Sequence, residues 1–421
     1  MSARCIVVAA ALAAAAPVLA QETVAIKDAR VVTVSGPTLE KGTVVIKDGL
    51  IAEVGTAVAI PSGARVIDGA GLTVYPGLID ADSVVGLREV PGVTPSDDYS
   101  EIGEINPQLI AANAFHRDSA YVAIDRIAGV TTVVSSPTGG ILPGHASIMD
   151  LAGSTVADME VARRGALVID YPKLLDFEPG AYQRVRRPFL DRRPAPARIK
   201  ELVEFLAAAR QYGQQGATGR ALTPLELKYE AVLPALEGKE TVYIPVDSDV
   251  DMRAAIQFAQ EQKLSRVALV GAADSYKIAP FLKQSGVSVI LGAVDHLPVR
   301  EDDPVDIVCR TPAILHEAGV PFTIATRAPW TDARNLRHDV GVAVACGLPR
   351  EAALRALSLT PSEILGVSDR LGSIDKGKRA NLVLYDGDIL DFGTHLVHLF
   401  IGGNAVPLTS RHTVLYEQYK D

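Results

Sequence analysis

The sequence predicts an α/β protein: a (β/α)8, TIM-like barrel with a smaller β region at each end of the chain. Three observations predict it. Eight short apolar runs alternate with helical or loop segments between Leu78 and Ala325, the arithmetic of an eight-unit barrel. Before them, Glu22–Val74 reads as short Val- and Ile-rich runs separated by turn formers. After Leu365 the same β character returns. A chain of 421 residues, 48% hydrophobic and 22% charged, is folded and too long for one simple core. Its net charge of −9, with one basic stretch at Arg184–Arg193, argues against nucleic acid as a partner.

Residues 1–20 read as a secretory signal peptide. Arg4 supplies the positive region, Ile6–Ala16 the apolar run, and Val18-Leu19-Ala20 a cleavage site before Gln21. The run is too short to span a membrane once cleaved, so the mature chain is expected to be periplasmic or secreted, with no membrane span. Cleavage leaves Cys309 and Cys346, whose pairing the spacing leaves open. In the first β region the runs are Thr23–Ile26, Arg30–Val34, Thr43–Lys47, Leu50–Val54 and Arg65–Ile67. Asp48-Gly49 between two of them signals a hairpin whose turn needs positive φ at both residues.

The barrel runs are Leu78–Asp82, Thr131–Ser135, Ala146–Asp150, Ala166–Asp170, Val242–Val246, Arg266–Val270, Val287–Leu291 and Pro321–Ala325. Several are continuously apolar, as parallel strands buried on both faces require. Helices are expected at Glu201–Tyr212, Leu225–Leu236, Asp249–Gln262, Ser275–Ser285, Ala313–Ala318 and Arg350–Leu365. Asp176–Ala197, rich in Pro and Arg, reads as an excursion over the surface. β segments follow at Gly372–Ile374, Ala380–Asp386 and Leu396–Ile401, and 411–421 is a tail.

Pro76-Gly77-Leu78-Ile79-Asp80 matches, residue for residue, the start of a strand signature, Pro-Gly-Leu-Ile-Asp-x-His-x-His. That signature opens the barrel of the amidohydrolase superfamily, which this chain resembles. Leu371–Asp388 resembles the closing element of the same superfamily, and Ser136–His145 resembles a segment of its imidazolonepropionase-related members. The resemblance implies that 22–75 and 367–410 form one composite β-sandwich domain around a barrel of residues 76–366. It also implies hydrolysis of C–N bonds at one or two divalent metals. Their ligands are His-x-His on strand one, a His after strand five, a His after strand six and an Asp after strand eight. Residues i and i+2 of a strand share a face, and the metal turns bound water into a nucleophile near neutral pH.

The ligands themselves are missing. Asp82 and Val84 stand for the two histidines, Pro245 or Val246 for the third, Gly271 for the fourth, and Thr326 or Arg327 for the aspartate. Only Asp82 offers an ionisable oxygen, so no cofactor is expected. Other residues could build a different site. Asp82, Asp170 and Asp247 lie at strand ends and together would suit Mg²⁺ or Ca²⁺, although Asp there equally caps the next helix. Asp295-His296 follows strand seven, where a catalytic or substrate-binding pair would stand; a lone loop histidine is equally a surface residue. Gly139 and Gly140 allow close approach to a ligand, or simply a tight turn. His145 is the histidine that topology puts near the barrel mouth, with Arg327 as a further binding candidate. His395 and His398 read as structural, and no Gly-x-Ser-x-Gly elbow occurs. The expectation is a secreted amidohydrolase-like protein without metal catalysis, taking a small-molecule ligand or a homologous amidohydrolase subunit. The alternative is an active hydrolase of non-peptide (amide) C–N bonds using a rewired site, and only there would zinc enter.

Overall fold

The computed structural model describes residues 22–90, 93–174, 193–215, 221–298, 300–327 and 332–420. The signal peptide, and most of the excursion and basic stretch expected near 176–197, lie outside the described residues.

Two sheets organise the chain. The first holds β1 (Val24–Val31), β2 (Leu39–Lys47), β3 (Leu50–Gly55), β4 (Arg65–Asp68) and β5 (Thr73–Pro76). The Asp48-Gly49 turn joins β2 to β3, and both residues have positive φ, as the sequence predicts. The second sheet is the barrel: β6 (Leu78–Ser83), β7 (Val130–Ser135), β8 (Gly144–Asp150), β9 (Glu160–Val168), β10 (Thr241–Val246), β11 (Val267–Gly271), β12 (Ser288–Leu291) and β13 (Phe322–Ile324). The chain then returns to the first sheet as β14 (Leu382–Tyr385), β15 (Leu396–Ile401) and β16 (Asn404–Ala405). β14 lies antiparallel on β5, with Leu382 opposite Pro76 and Tyr385 opposite Thr73. Ile26, Val44 and Val74 from the start of the chain share a core with Leu382, Leu384 and Phe400 from its end.

All eight expected barrel strands form, but one is reversed. β8 runs antiparallel to both β7 and β9. A parallel return needs a crossover of a dozen or more residues, and the Gly-rich connection after Ser135 is too short for one. The chain folds straight back instead, and only the one-turn helix α2 (Val156–Met159) separates β8 from β9. The ladder runs in order from β6 to β13, leaving a seam between those two end strands.

The other helices are α1 (Ala120–Ile127), α3 (Ala195–Gln215), α4 (Pro224–Leu236), α5 (Asp249–Glu261), α6 (Ala279–Ser285), α7 (Ile307–Glu317), α8 (Leu336–Ala345), α9 (Arg350–Leu357), α10 (Leu359–Leu365) and α11 (Arg411–Tyr419). The single helix expected at Arg350–Leu365 is two. Pro361 has no N–H to give the Leu357 carbonyl, and the chain breaks at Ser358 (φ −146°, ψ −60°). Ile364, Leu365 and Val367 then pack with Ile79, Val134 and Val270 in the barrel interior. The hydroxyl of Thr241, at the start of β10, donates to the Ile364 carbonyl at 2.8 Å, so this plug closes the N-terminal end of the barrel. The tail expected at 411–421 carries α11, none of whose residues is buried. Cys309 on α7 and Cys346 just past α8 form a disulfide, settling the pairing that spacing left open. No helix among the described residues is long and apolar enough to cross a membrane.

Candidate functional site

The seam between β6 and β13 is closed at its C-terminal end by side chains and one backbone bond. Thr326 donates to Asp80 twice, from its N–H at 3.1 Å and its hydroxyl at 2.5 Å. The Arg327 N–H donates to the Asp82 carbonyl at 3.0 Å. Asp80 is fully buried. Burial pushes its carboxyl up to about 7, the Asp82 charge adds to this, and the two Thr326 bonds oppose it. Tyr243 reaches across to donate to the Ala81 carbonyl at 3.0 Å. Burial, then the charges of Asp82 and Asp80, raise its phenol well above the ordinary range, so the donor stays protonated.

Arg327 is the centre of the mouth. Its Nε lies 3.5 Å from Asp82 Oδ2, and its Nη1 lies 3.4 Å from Asp247 Oδ1. Lys173 Nζ stands 3.9 Å from the other Asp247 oxygen. Burial raises the Asp82 carboxyl, and the Arg327 charge works against that. Gly271 makes the arrangement possible. A Cβ there would sit 2.2 Å from Arg327 Nη1 and 2.3 Å from Asp247 Oδ1, and the residue has φ +93°. Arg327 and Ala272 also adopt left-handed backbone, at φ +49° and +48°, a strained choice for non-glycine residues that gathers at functional sites.

These residues bear directly on the metal that the sequence resemblance implies. Where a histidine ligand would project there is glycine, and the space beside it holds a guanidinium. Asp82 and Asp247 face each other across that fixed cation. Among the described residues no group of three or more His, Cys, Asp or Glu is placed to hold a metal ion. This donor set does not fit a divalent metal, and the Asp82, Asp170 and Asp247 cation site weighed from the sequence does not form among the described residues.

A cavity of about 60 Å³ opens beside Arg327, over the ends of β10, β11 and β12. Leu291, Ile307 and Val308 give it an apolar wall, and Tyr276, His296 and Arg300 a polar one. Arg300 grips Asp274 with two bonds, at 2.5 and 2.6 Å. Although burial opposes it, these bonds and Lys277 at 3.1 Å hold the Asp274 carboxyl below the usual range. His296 is exposed at the rim and donates Nδ1–H to the Leu297 carbonyl at 2.8 Å. Asp295 is exposed beside it. Asp339, in the first turn of α8, is buried and raised by burial and by the Asp295 charge, while the Val294 N–H at 3.2 Å opposes the rise.

Of the residues singled out in the sequence, Asp82, Asp247, Gly271, Thr326 and Arg327 meet at the mouth, and His296 lines the adjoining cavity. Five others go elsewhere. Val84 lies past the end of β6 and packs with Leu87, Tyr99 and Ala111. Pro245 is an internal residue of β10, opposite Val270. Gly140 does permit a close approach, but to its own chain: a Cβ would lie 2.7 Å from the Gly103 carbonyl oxygen and 2.8 Å from that of Glu104. Gly139 beside it faces Ser100 at an ordinary 3.4 Å. His145 corrects the placement near the mouth. Ala146 and Ile148 face the barrel interior, so His145 points outward by alternation, where its Nδ1–H donates to Glu240 at 2.6 Å. Several site residues escape a reading of the sequence alone, Tyr243, Asp274 and Arg300 among them. Asp80 stands in the sequence only as part of the signature, although it lies two residues before Asp82 on the same strand. Asp339 and Lys173 carry no local signal.

A family model described as the amidohydrolase family matches residues 253–407. Amidohydrolase tasK of Hapsidospora irregularis is 23% identical over 380 residues, which are 83% of this chain and 38% of that protein. The chain thus spans about two-fifths of the length of that curated relative. Among solved structures, an amidohydrolase from Thermotoga maritima MSB8 is similar with a TM-score of 0.80 at 22% identity, over 92% of this chain and 100% of that one. Molinate hydrolase follows the fold at a TM-score of 0.58 and 18% identity, over 93% and 96% of the two chains. At such identities the structural likeness speaks for the fold. The family-model match and the curated relative make the chain similar to amidohydrolases, and the solved amidohydrolase structures share its fold.

Proposed function

We propose that the mature chain is a secreted protein of amidohydrolase fold that binds a small-molecule ligand at its barrel mouth and has no metal-dependent hydrolase activity. One observation carries the reading: the Arg327 guanidinium, seated between Asp82 and Asp247 in the space that Gly271 leaves. A fixed cation at this point repels a divalent metal, and the two carboxylates nearest to it are already compensated. Without a metal the attacking water of such hydrolases keeps its bulk pKa, far above neutral, and is not available as hydroxide. Arg327 and the cavity beside it remain suited to a compact ligand with polar groups. A homologous amidohydrolase subunit that covers the mouth is the other partner the sequence allows. Secretion is supported by Arg4, the apolar run and Val18-Leu19-Ala20, and by the Cys309–Cys346 disulfide, which suits an oxidising compartment.

The test is elemental analysis of the desalted mature protein, alongside amide-hydrolysis assays. The expected result is no stoichiometric zinc, and no activity recovered by Asp82→His with Val84→His, because three further ligands are still absent. About one zinc per chain, removed by a chelator together with a hydrolase activity, would overturn the reading. N-terminal sequencing of exported material is expected to start at or near Gln21.

A second reading, hydrolysis of non-peptide C–N bonds at a rewired site, draws on two protonatable carboxyls near the mouth. Asp80 is raised to about 7 and Asp339 is raised beside Asp295, the range in which a general acid works. Chelator-insensitive hydrolysis that disappears in Asp339→Asn would favour it.

A further inference from the structure

The opposite end of the barrel carries a second, unassigned pocket. A cavity of about 230 Å³ lies at the N-terminal ends of β10 and β11, beside β9, and is lined by Arg164, Lys239, Arg266 and Arg370. Four cations converging on one cavity are unusual on a chain whose net charge is −9. Their partners leave most of that charge free. Among the described residues neither Arg164 nor Arg266 has a carboxylate partner. Arg266 reaches only the Lys239 carbonyl, at 3.5 Å. Arg370 is oriented by the Val161 carbonyl at 2.7 Å and lies 3.8 Å from exposed Asp369. Lys239 pairs with exposed Glu237 at 2.6 Å.

Gly366 seats the central arginine as Gly271 seats Arg327. It has φ +72°, and a Cβ on it would lie 2.2 Å from Arg266 Nη2. Arg266 is thus laid against backbone at the rim of the plug that closes the barrel. Glu240 makes a second demand. It is buried in the cavity wall, its Oε1 accepts the His145 Nδ1–H at 2.6 Å, and its Oε2 has no partner. The site therefore offers guanidinium donors to an anion and one buried acceptor to an O–H on that same anion.

We infer that this pocket binds phosphate carrying a hydrogen-bond donor: free monohydrogen phosphate, or a small phosphorylated molecule whose own hydroxyl reaches Glu240. Paired guanidinium N–H groups match the geometry of phosphate oxygens. Sulfate has the same shape and charge but no proton at neutral pH, so Glu240 discriminates against it.

Isothermal titration of the mature chain with inorganic phosphate, glycerol phosphate and sulfate at fixed ionic strength tests this. Phosphate is expected to bind saturably, about tenfold or more tighter than sulfate. Arg266→Gln and the exposed Arg164→Gln are each expected to weaken it about tenfold. Glu240→Gln should narrow the gap to sulfate, since an amide can donate to it; if that variant does not fold, the Arg164 variant alone decides. The relative affinity of glycerol phosphate identifies the source, an ester if it binds tighter and the free ion if weaker. Phosphate bound no better than sulfate, or equally well in both arginine variants, would refute the site. So would a loss of binding in Arg327→Gln, which would put the ion at the mouth.

Discussion

Gly271 shows how one missing methyl sets a site. Gly271→Ala adds a Cβ 2.2 Å from Arg327 Nη1 in left-handed backbone, so the guanidinium must leave its two carboxylates. Loss of about 1–3 kcal/mol is expected in urea unfolding. Asp80 makes a different test, through pH. Its folded carboxyl is raised from 3.8 to about 7. The folded state therefore holds a proton that the unfolded chain has released. That contribution is complete below about pH 4 and is lost as pH rises to about 7. Its size is up to roughly 4 kcal/mol. Asp80→Asn should flatten the fall in unfolding free energy between pH 4 and 7; an unchanged slope would show that Asp80 is not the group responsible. The sequence named Asp82, Asp247, Gly271 and Arg327 because each sits at a strand end, and strand ends are readable from apolar runs. It could not show that Asp80 is protonatable, because that follows from burial under Thr326, a neighbour 246 residues away.

At the scale of elements, all eight barrel strands were legible, because continuous Val and Ile runs have few other uses. The direction of β8 was not. The glycines of Ser136–Gly144 suit a ligand loop and a reversal equally, and only the partners of the returning strand decide between them. The outward turn of His145 follows from that reversal. The disulfide likewise needed the fold, which brings the ends of α7 and α8 together with Cα atoms 5.7 Å apart. It closes a segment of 37 residues, for which chain entropy gives about 4 kcal/mol. Cys346→Ser, or a reductant with the wild type, is expected to lower stability by about 2–4 kcal/mol. Because α7 carries Ile307 and Val308 into the mouth cavity, hydrogen exchange should rise first along that helix.

The whole molecule is one barrel clasped by a sheet made from both ends of the chain. Truncation after Gly366 removes β14, β15 and Phe400 from the core they share with β1, β2 and β5. It should make residues 22–75 sensitive to limited proteolysis, since the strands that remain lose the apolar cover of Leu382, Leu384 and Phe400 and bare the edge of β5. A protease-resistant 22–75 fragment in that truncation would show that the first strands stand alone. The clasp also dictates a timetable for synthesis. β5 finds its neighbour β14 only after about three hundred further residues have been made, and until then one edge of the opening sheet is bare. Contacts so distant along the chain form slowly, and a bare edge invites pairing with another molecule. A nascent chain stalled before Leu382 should therefore aggregate or recruit a holding chaperone, and release of the last forty residues should be the step that sets it free.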